Sequence, residues 1–287
     1  MNIHFYERRK LLYIVSAVFL AVSVASLLLM GLNQGVEFQS GTLMDIRFAD
    51  EAVSIEQIRG ILADYSLEQS SITQAGEGTF VIKSVEISEE TQNLIADSFR
   101  ESLGEYELQR LESIGPIIGK ELTQNGILAL VIASALMLVY ISIRFQWKYA
   151  ISAIICLVHD SLIMLGFFSI FQFEIEGSFI AAVLTIIGYS INNTIVVFDR
   201  VRENMKLHPK WSGREMVDNS IGQTLVRSIN LSVTVALVLA TLILFGGETT
   251  KSFAIALFVG NVAGFYSSAF IAANLWMDFR PRGFEAR

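Results

Sequence analysis

The chain has 287 residues, 53% of them hydrophobic and only 17% charged, with a mean hydropathy of +0.52 and a net charge of −7. A soluble domain carries about 25% charged residues, so this composition excludes a purely water-exposed fold and calls for apolar surface covered by lipid. The single cysteine, Cys156, rules out an intrachain disulfide, and no Cys/His spacing suggests a metal or a cofactor.

Six apolar stretches are long enough to cross a hydrocarbon core about 30 Å thick, which takes roughly 20 residues at 1.5 Å each. The first runs from about Leu11 to Leu32, behind Arg8, Arg9 and Lys10. It is too long for the apolar region of a signal peptide and lacks a small-x-small cleavage site, so it is expected to remain as a span. The others lie near Gly126–Ile143, Tyr149–Phe171, Phe179–Phe198, Leu225–Phe245 and Phe253–Met277, and none of the three prolines interrupts them.

Residues 33–121, between the first two spans, hold 17 acidic and 6 basic side chains, a net of −11, against +4 for the remainder. So acidic a segment argues against nucleic acid as a ligand. Gly41 to Ala49 alternates as a half-buried strand does. Ser54, with Gln57 three residues on, caps a helix whose apolar stripe is Ile55, Ile58, Ile61 and Leu62. A weaker strand is expected around Ser70–Gln74 and another over Thr79–Ile87, with Phe80, Ile82 and Val85 on one face. Ser88, Glu89 and Glu90 open a second helix that buries Leu94, Ile95, Phe99 and Leu103. Tyr106–Ile114 closes the set, giving a βαββαβ order and a ferredoxin-like α+β sandwich.

Orientation follows from the cations of the short loops, which stay on the cytoplasmic side. With both termini inside, that side holds Arg8, Arg9, Lys10, Arg144, Lys148, Arg200, Arg202, Lys206, Lys210, Arg214, Arg227, Arg280, Arg282 and Arg287. The opposite short loops hold only Lys251. The expectation is a multi-pass membrane protein: a cytoplasmic N-terminus over 1–10, a span over 11–32, a domain outside the cytoplasm over 33–121, five spans within 122–277, a cytoplasmic loop over 199–224 and a cytoplasmic tail over 278–287.

Polar groups within spans cost about 2.5–3.5 kcal/mol each when charged, so each needs a reason. Asp160 lies mid-way along the third span beside His159. Adjacent helical residues point about 100° apart, so the two are not expected to pair; a proton or cation site and a helix–helix hydrogen bond both remain open. The fourth span packs Ser190, Asn192, Asn193 and Thr194 into little more than one turn, either as interhelical bonds of about 0.6 kcal/mol each or as the lining of a wet relay. Asp199 and Arg200 fall at the expected boundary. Arg227 can snorkel there or reach the asparagines. Gly260 and Gly264 form a GxxxG, a weak packing signal.

Gly188-Tyr-Ser-Ile-Asn-Asn-Thr, followed by Val-Val-Phe-Asp-Arg-Val-Arg-Glu-Asn204, resembles the fourth-span signature of the SecF branch of the SecD/SecF family, in the RND superfamily. Ser113–Leu122, His159-Asp160, Gln223–Ser228 and Leu244–Gly247 add to the resemblance. Gly35–Leu43 resembles the family's segment after the first span, with Glu37, Gln39 and Ser40 where Asp, Thr and Gly are usual. The resemblance covers nearly the whole chain in order. It implies a six-span subunit that pairs with SecD, associates with the SecYEG translocon, and with YajC and YidC, and uses the proton-motive force to draw unfolded preprotein outward, among membrane lipids. It also implies a proton-carrying Asp at the place of Asn193. An amide cannot titrate, so here SecD's carboxylate carries the proton with Arg227 as its partner, or another ion couples, or the chain is an inactive variant. The rival function is an RND-type half transporter of small molecules or lipids. An intramembrane hydrolase is disfavoured, because only Asp160 lies deep in a span, and no enzymatic activity is expected.

Overall fold

The computed structural model describes residues 4–279, so the expected tail cations Arg280, Arg282 and Arg287 lie outside the described residues. The described residues divide into a small unit, residues 34–126, and a helical unit made of residues 4–33 and 127–279.

The small unit opens with a single helical turn, α2 (Val36–Gln39), after the first long helix, α1 (Arg9–Leu29). It continues as β1 (Gly41–Phe48), α3 (Ile55–Ala63), β2 (Ser71–Gly76), β3 (Thr79–Ser84), α4 (Glu89–Leu103) and β4 (Tyr106–Ile114). The antiparallel sheet has the order β2-β3-β1-β4, so β1 and β3 are central and the βαββαβ reading holds. Each helix starts where its side chains can satisfy free backbone N–H groups. Ser54 and Gln57 form a reciprocal capping box, and Ser88 accepts from the Thr91 N–H.

Alternation on the strands and 3.6-residue spacing on the helices bring one core together: Met44, Ile46 and Phe48, Phe80 and Ile82, Ile58 and Leu62, Ile95 and Phe99. The Phe48 ring sits edge-on to Phe80 and Phe99. Two expected core residues lie outside it. Leu94 is half exposed, because it sits about 100° around α4 from Ile95. Val85 is exposed because β3 ends at Ser84. A bulge between Asp45 and Ile46 shifts the register against β4.

The helical unit holds α1 and four more apolar rods: α5 (Pro116–Arg144), α6 (Trp147–Phe171), α7 (Gly177–Leu207) and α8 (Gly213–Phe245). A sixth runs as α9 (Glu248–Tyr266), one π turn (Ser267–Ile271) and α10 (Ala272–Asp278). All six are long and apolar enough to cross a membrane. Most outlast their apolar runs. The helix α7 continues to Leu207 and α8 begins at Gly213 behind a Ser212–Glu215 capping box, so the loop expected over 199–224 is helical except at residues 208–212. Hydropathy marks where a helix leaves an apolar phase, not where its backbone bonds stop.

Small side chains set the closest approaches. Against α6, α1 turns Ser23 and Ser26 inward, and a Cβ on Gly166 would collide with Ser23. The hydroxyls of Ser26 and Ser169 are 2.8 Å apart, and Ser169 donates to the Gly31 carbonyl at 2.6 Å.

Ser40 has φ 68° and ψ 141°, a conformation that costs a residue with a side chain about 1–3 kcal/mol. Replacing Ser40 by Gly should stabilise the small unit by about 1 kcal/mol and slow hydrogen exchange at the β1 amides about fivefold in the full chain. Unchanged exchange would show that the neighbouring contacts, not the backbone, set the local stability.

Candidate functional site

Asp160 is 1% exposed, on α6. Contrary to expectation, it does pair with its neighbour: His159 Nδ1 lies 2.9 Å from Asp160 Oδ1. The angle of 100° separates the Cα–Cβ directions only, and two side chains with no water to turn to can swing toward each other. The other oxygen, Oδ2, accepts from Ser190 Oγ of α7 at 2.6 Å and from Ser267 Oγ of the π turn at 2.8 Å. One carboxylate thus takes three hydrogen bonds from three elements, which is how a buried charge is kept.

The next turn extends the cluster. Ser268 Oγ donates to the Ser190 carbonyl at 3.0 Å and stands 2.8 Å from Thr194 Oγ1. Since the Ser268 proton points at the carbonyl, Thr194 donates to Ser268. Cys156 donates its thiol to the Ser267 carbonyl at 3.8 Å. Within the π turn that carbonyl also accepts the Ala272 N–H, five residues on. The Gly260 and Gly264 pair is what lets α9 come this close. A Cβ on Gly260 would press into Ile186, and one on Gly264 would lie 3.1 Å from Ser190 Cβ and 3.6 Å from Asp160 Oδ2.

The remaining residues singled out in the sequence are placed as follows. Asn193 is buried and its amide nitrogen has no hydrogen-bond partner. Asn192 is exposed, about 100° around the same turn. Gly188 is half-buried with open space where a Cβ would sit. Asp199 meets Arg144 at 3.6 Å, and Arg200 meets Glu203 at 2.9 Å, both pairs partly exposed. Arg227 is exposed and, among the described residues, makes no hydrogen bond or ion pair, so it does not reach the asparagines within this chain.

Sequence reasoning did not single out Ser267 and Ser268, although adjacent serines in an apolar span were a usable signal. It also passed over Ser232 and Asn261, which tie α8 to α9 twice: Asn261 Nδ2 donates to the Ser232 carbonyl at 3.0 Å and Ser232 Oγ donates to Asn261 Oδ1 at 3.2 Å. Among the described residues no group of three His, Cys, Asp or Glu side chains could hold a metal.

The family model "Protein export membrane protein SecD/SecF, C-terminal" matches residues 94–282, and the SecD/SecF GG motif matches residues 25–52. The chain belongs to the SecD/SecF family. Protein translocase subunit SecF of Sebaldella termitidis is 37% identical over 96% of this chain and 91% of its own length. The SecF of Pseudomonas aeruginosa is 36% identical over 96% and 92%. The Bacillus subtilis protein translocase subunit SecDF is 38% identical over 97% of this chain, which spans only 38% of that longer protein. In three dimensions, SecDF of Thermus thermophilus, described as a translocon-associated membrane protein, superposes with a TM-score of 0.85 at 32% identity, again over 96% of this chain and 38% of the other. In this SecD/SecF chain the six spans and the antiparallel sheet between the first two are therefore the architecture of a translocase subunit.

The glycines of the cluster separate packing from mere sequence pattern. Gly260→Val should cost about 1–3 kcal/mol by forcing α9 from α7, seen as a lower melting temperature of the full chain in detergent. Gly188→Ala, with free space above it, should leave that temperature unchanged or raise it.

Proposed function

We propose that this chain is the SecF-like subunit of a SecDF complex in the bacterial inner membrane, with both termini cytoplasmic and residues 33–121 in the periplasm, and that it uses the proton-motive force to promote preprotein export. Its immediate partner is SecD, because the fused relatives carry the equivalent of this chain as 38% of one longer SecDF polypeptide. SecYEG, YajC, YidC and unfolded preprotein are the wider partners of this reading.

The observation that carries it is a pair of uncovered polar residues on the helical unit. Arg227 on α8 and Asn192 on α7 are exposed on helices built to cross a membrane. A cation in the hydrocarbon costs about 2.5–3.5 kcal/mol unless it snorkels or is paired. A second membrane subunit supplying a carboxylate opposite Arg227 removes that cost. It also explains how a chain with the amide Asn193 takes part in proton coupling: the titrating acid is SecD's, and Arg227 lowers or restores its proton affinity by approaching or withdrawing. Asn192 is the exposed polar residue of α7, while Ser190, Asn193 and Thr194 are buried inside the bundle, and Asp199 and Arg200 hold the cytoplasmic end of α7 through Arg144 and Glu203.

Proton-gradient-dependent transport into inverted vesicles containing this chain and its SecD tests the reading. Arg227→Ala should abolish the stimulation, and Asn193→Asp should change it less than about tenfold, since the amide already serves there. Full stimulation with Arg227→Ala would refute the role given to Arg227.

A further inference from the structure

The bundle contains a second polar centre that coupling through Arg227 leaves unused. Asp160 and His159 are enclosed by α6, α7, α9 and the π turn, and both are buried. Three donors, His159 Nδ1, Ser190 Oγ and Ser267 Oγ, surround the carboxylate. His159 Nε2 is buried and has no hydrogen-bond partner. The imidazole lies against the Tyr266 ring, with centroids 6.3 Å apart. From Ser190 the cluster reaches Asn193 and Thr194 within one helical turn, and Asn193 also presents a buried amide nitrogen without a partner.

We infer that the His159–Asp160 pair is an intramembrane proton-binding site belonging to this chain alone, taking up one proton at His159 Nε2. With Nδ1–H donated to Asp160, the neutral imidazole keeps its lone pair on Nε2. An incoming proton forms one N–H bond there and breaks none in the protein, and the pair passes from a net charge of −1 to a neutral imidazolium–carboxylate. Both states are held. In the unprotonated one, the two serine hydroxyls and Nδ1–H compensate the carboxylate; in the protonated one, the opposite charges compensate each other. The proton belongs to the pair and not to either residue.

The surroundings favour a proton over a metal cation. A hard cation needs several oxygen lone pairs turned toward it, whereas the groups that face Asp160 present N–H and O–H. On the packed elements the neutral ionisable groups are Cys156 and Tyr149 on α6, Tyr189 on α7, Tyr266 on α9 and Tyr13 on α1, whose hydroxyl donates to Asp278 at 2.8 Å. The charged ones are Lys148 on α6, Asp199, Arg200, Arg202, Glu203 and Lys206 on α7, Lys251 on α9, and Arg9 and Lys10 on α1. No Lys or Arg is hydrogen-bonded or ion-paired to Asp160 among the described residues, so the charge of the pair is set by its own proton.

This role in coupling rests on the export reading, but the site itself is testable without it. The chain has three histidines, so His4→Gln with His208→Gln leaves His159 as the only imidazole. In the full chain, labelled with 15N at histidine and held in lipid nanodiscs, the imidazole resonances should pass from the neutral to the doubly protonated pattern as the pH is lowered. In Asp160→Asn the ratio of protonated to neutral imidazole at a given pH should fall about tenfold or more, while Asp160→Glu should retain most of it. A His159 signal that never titrates overturns the proposal, and so does one that titrates identically in Asp160→Asn. A response that requires sodium in place of potassium would also overturn it, in favour of a cation site. If Asp160→Asn does not fold, the unsubstituted chain and Asp160→Glu still decide. Export measured in parallel separates the two readings: a pair that titrates in a chain that does not stimulate export leaves the site standing and removes the coupling.

Discussion

A polar group inside a membrane must find its partners within protein, and the arrangement of the helices follows from where this chain meets that demand. Asp160 meets it with donors from α6, α7 and the π turn. Interhelical hydrogen bonds in membranes are worth about 0.6 kcal/mol each, so their direct contribution is modest. Removing one partner from a buried ion is another matter, at about 3–5 kcal/mol, and that asymmetry fixes the relative positions of the elements around the carboxylate. Gly264 and Gly260 give the approach distance, and the π turn aims the Ser267 hydroxyl. Ser232 with Asn261, and Ser26 with Ser169, repeat the same solution elsewhere in the bundle.

The same demand goes unmet at two exposed polar side chains on spanning helices, Arg227 of α8 and Asn192 of α7. The helix α5 is likewise uncovered, with Ile127, Leu128, Val131, Ile132 and Leu136 all exposed. Lipid suffices for those five, and does not suffice for an arginine or an amide away from the interface. The contrast between a carboxylate held by three donors and polar side chains left bare is what a half of a larger membrane assembly looks like. The fused SecDF relatives, of which this chain matches 38%, carry additional sequence in the same polypeptide.

Much of this was legible in the sequence, and the exceptions have common causes. The strand order of the small unit, the Ser54 and Ser88 caps and the six apolar runs were readable because alternation, capping chemistry and hydropathy are local. Helix ends at Leu207 and Gly213 were not, because a polar continuation of a helix carries no hydropathy signal. Leu94 and Val85 were misplaced by extending a stripe or a strand one residue too far. The His159–Asp160 pair was excluded by an argument about Cβ directions that ignored side-chain reach. Ser267 and Ser268 stayed hidden because their importance lies in what faces them, Asp160 and Thr194, which lie 107 and 74 residues away. The resemblance carried by Gly188–Asn204 identified the family, but burial alone distinguishes Asn193 from Asn192.

The central claim is that a SecD span covers these bare side chains, and a cysteine placed at Asn192 probes it directly, since the native Cys156 is buried. With Asn192→Cys coproduced beside a SecD carrying single cysteines along its membrane spans, oxidation should give a cross-linked heterodimer at positions on one helical face of one span. Cross-links only between copies of this chain, or ready labelling of the introduced thiol from the lipid phase whether or not SecD is present, would contradict it.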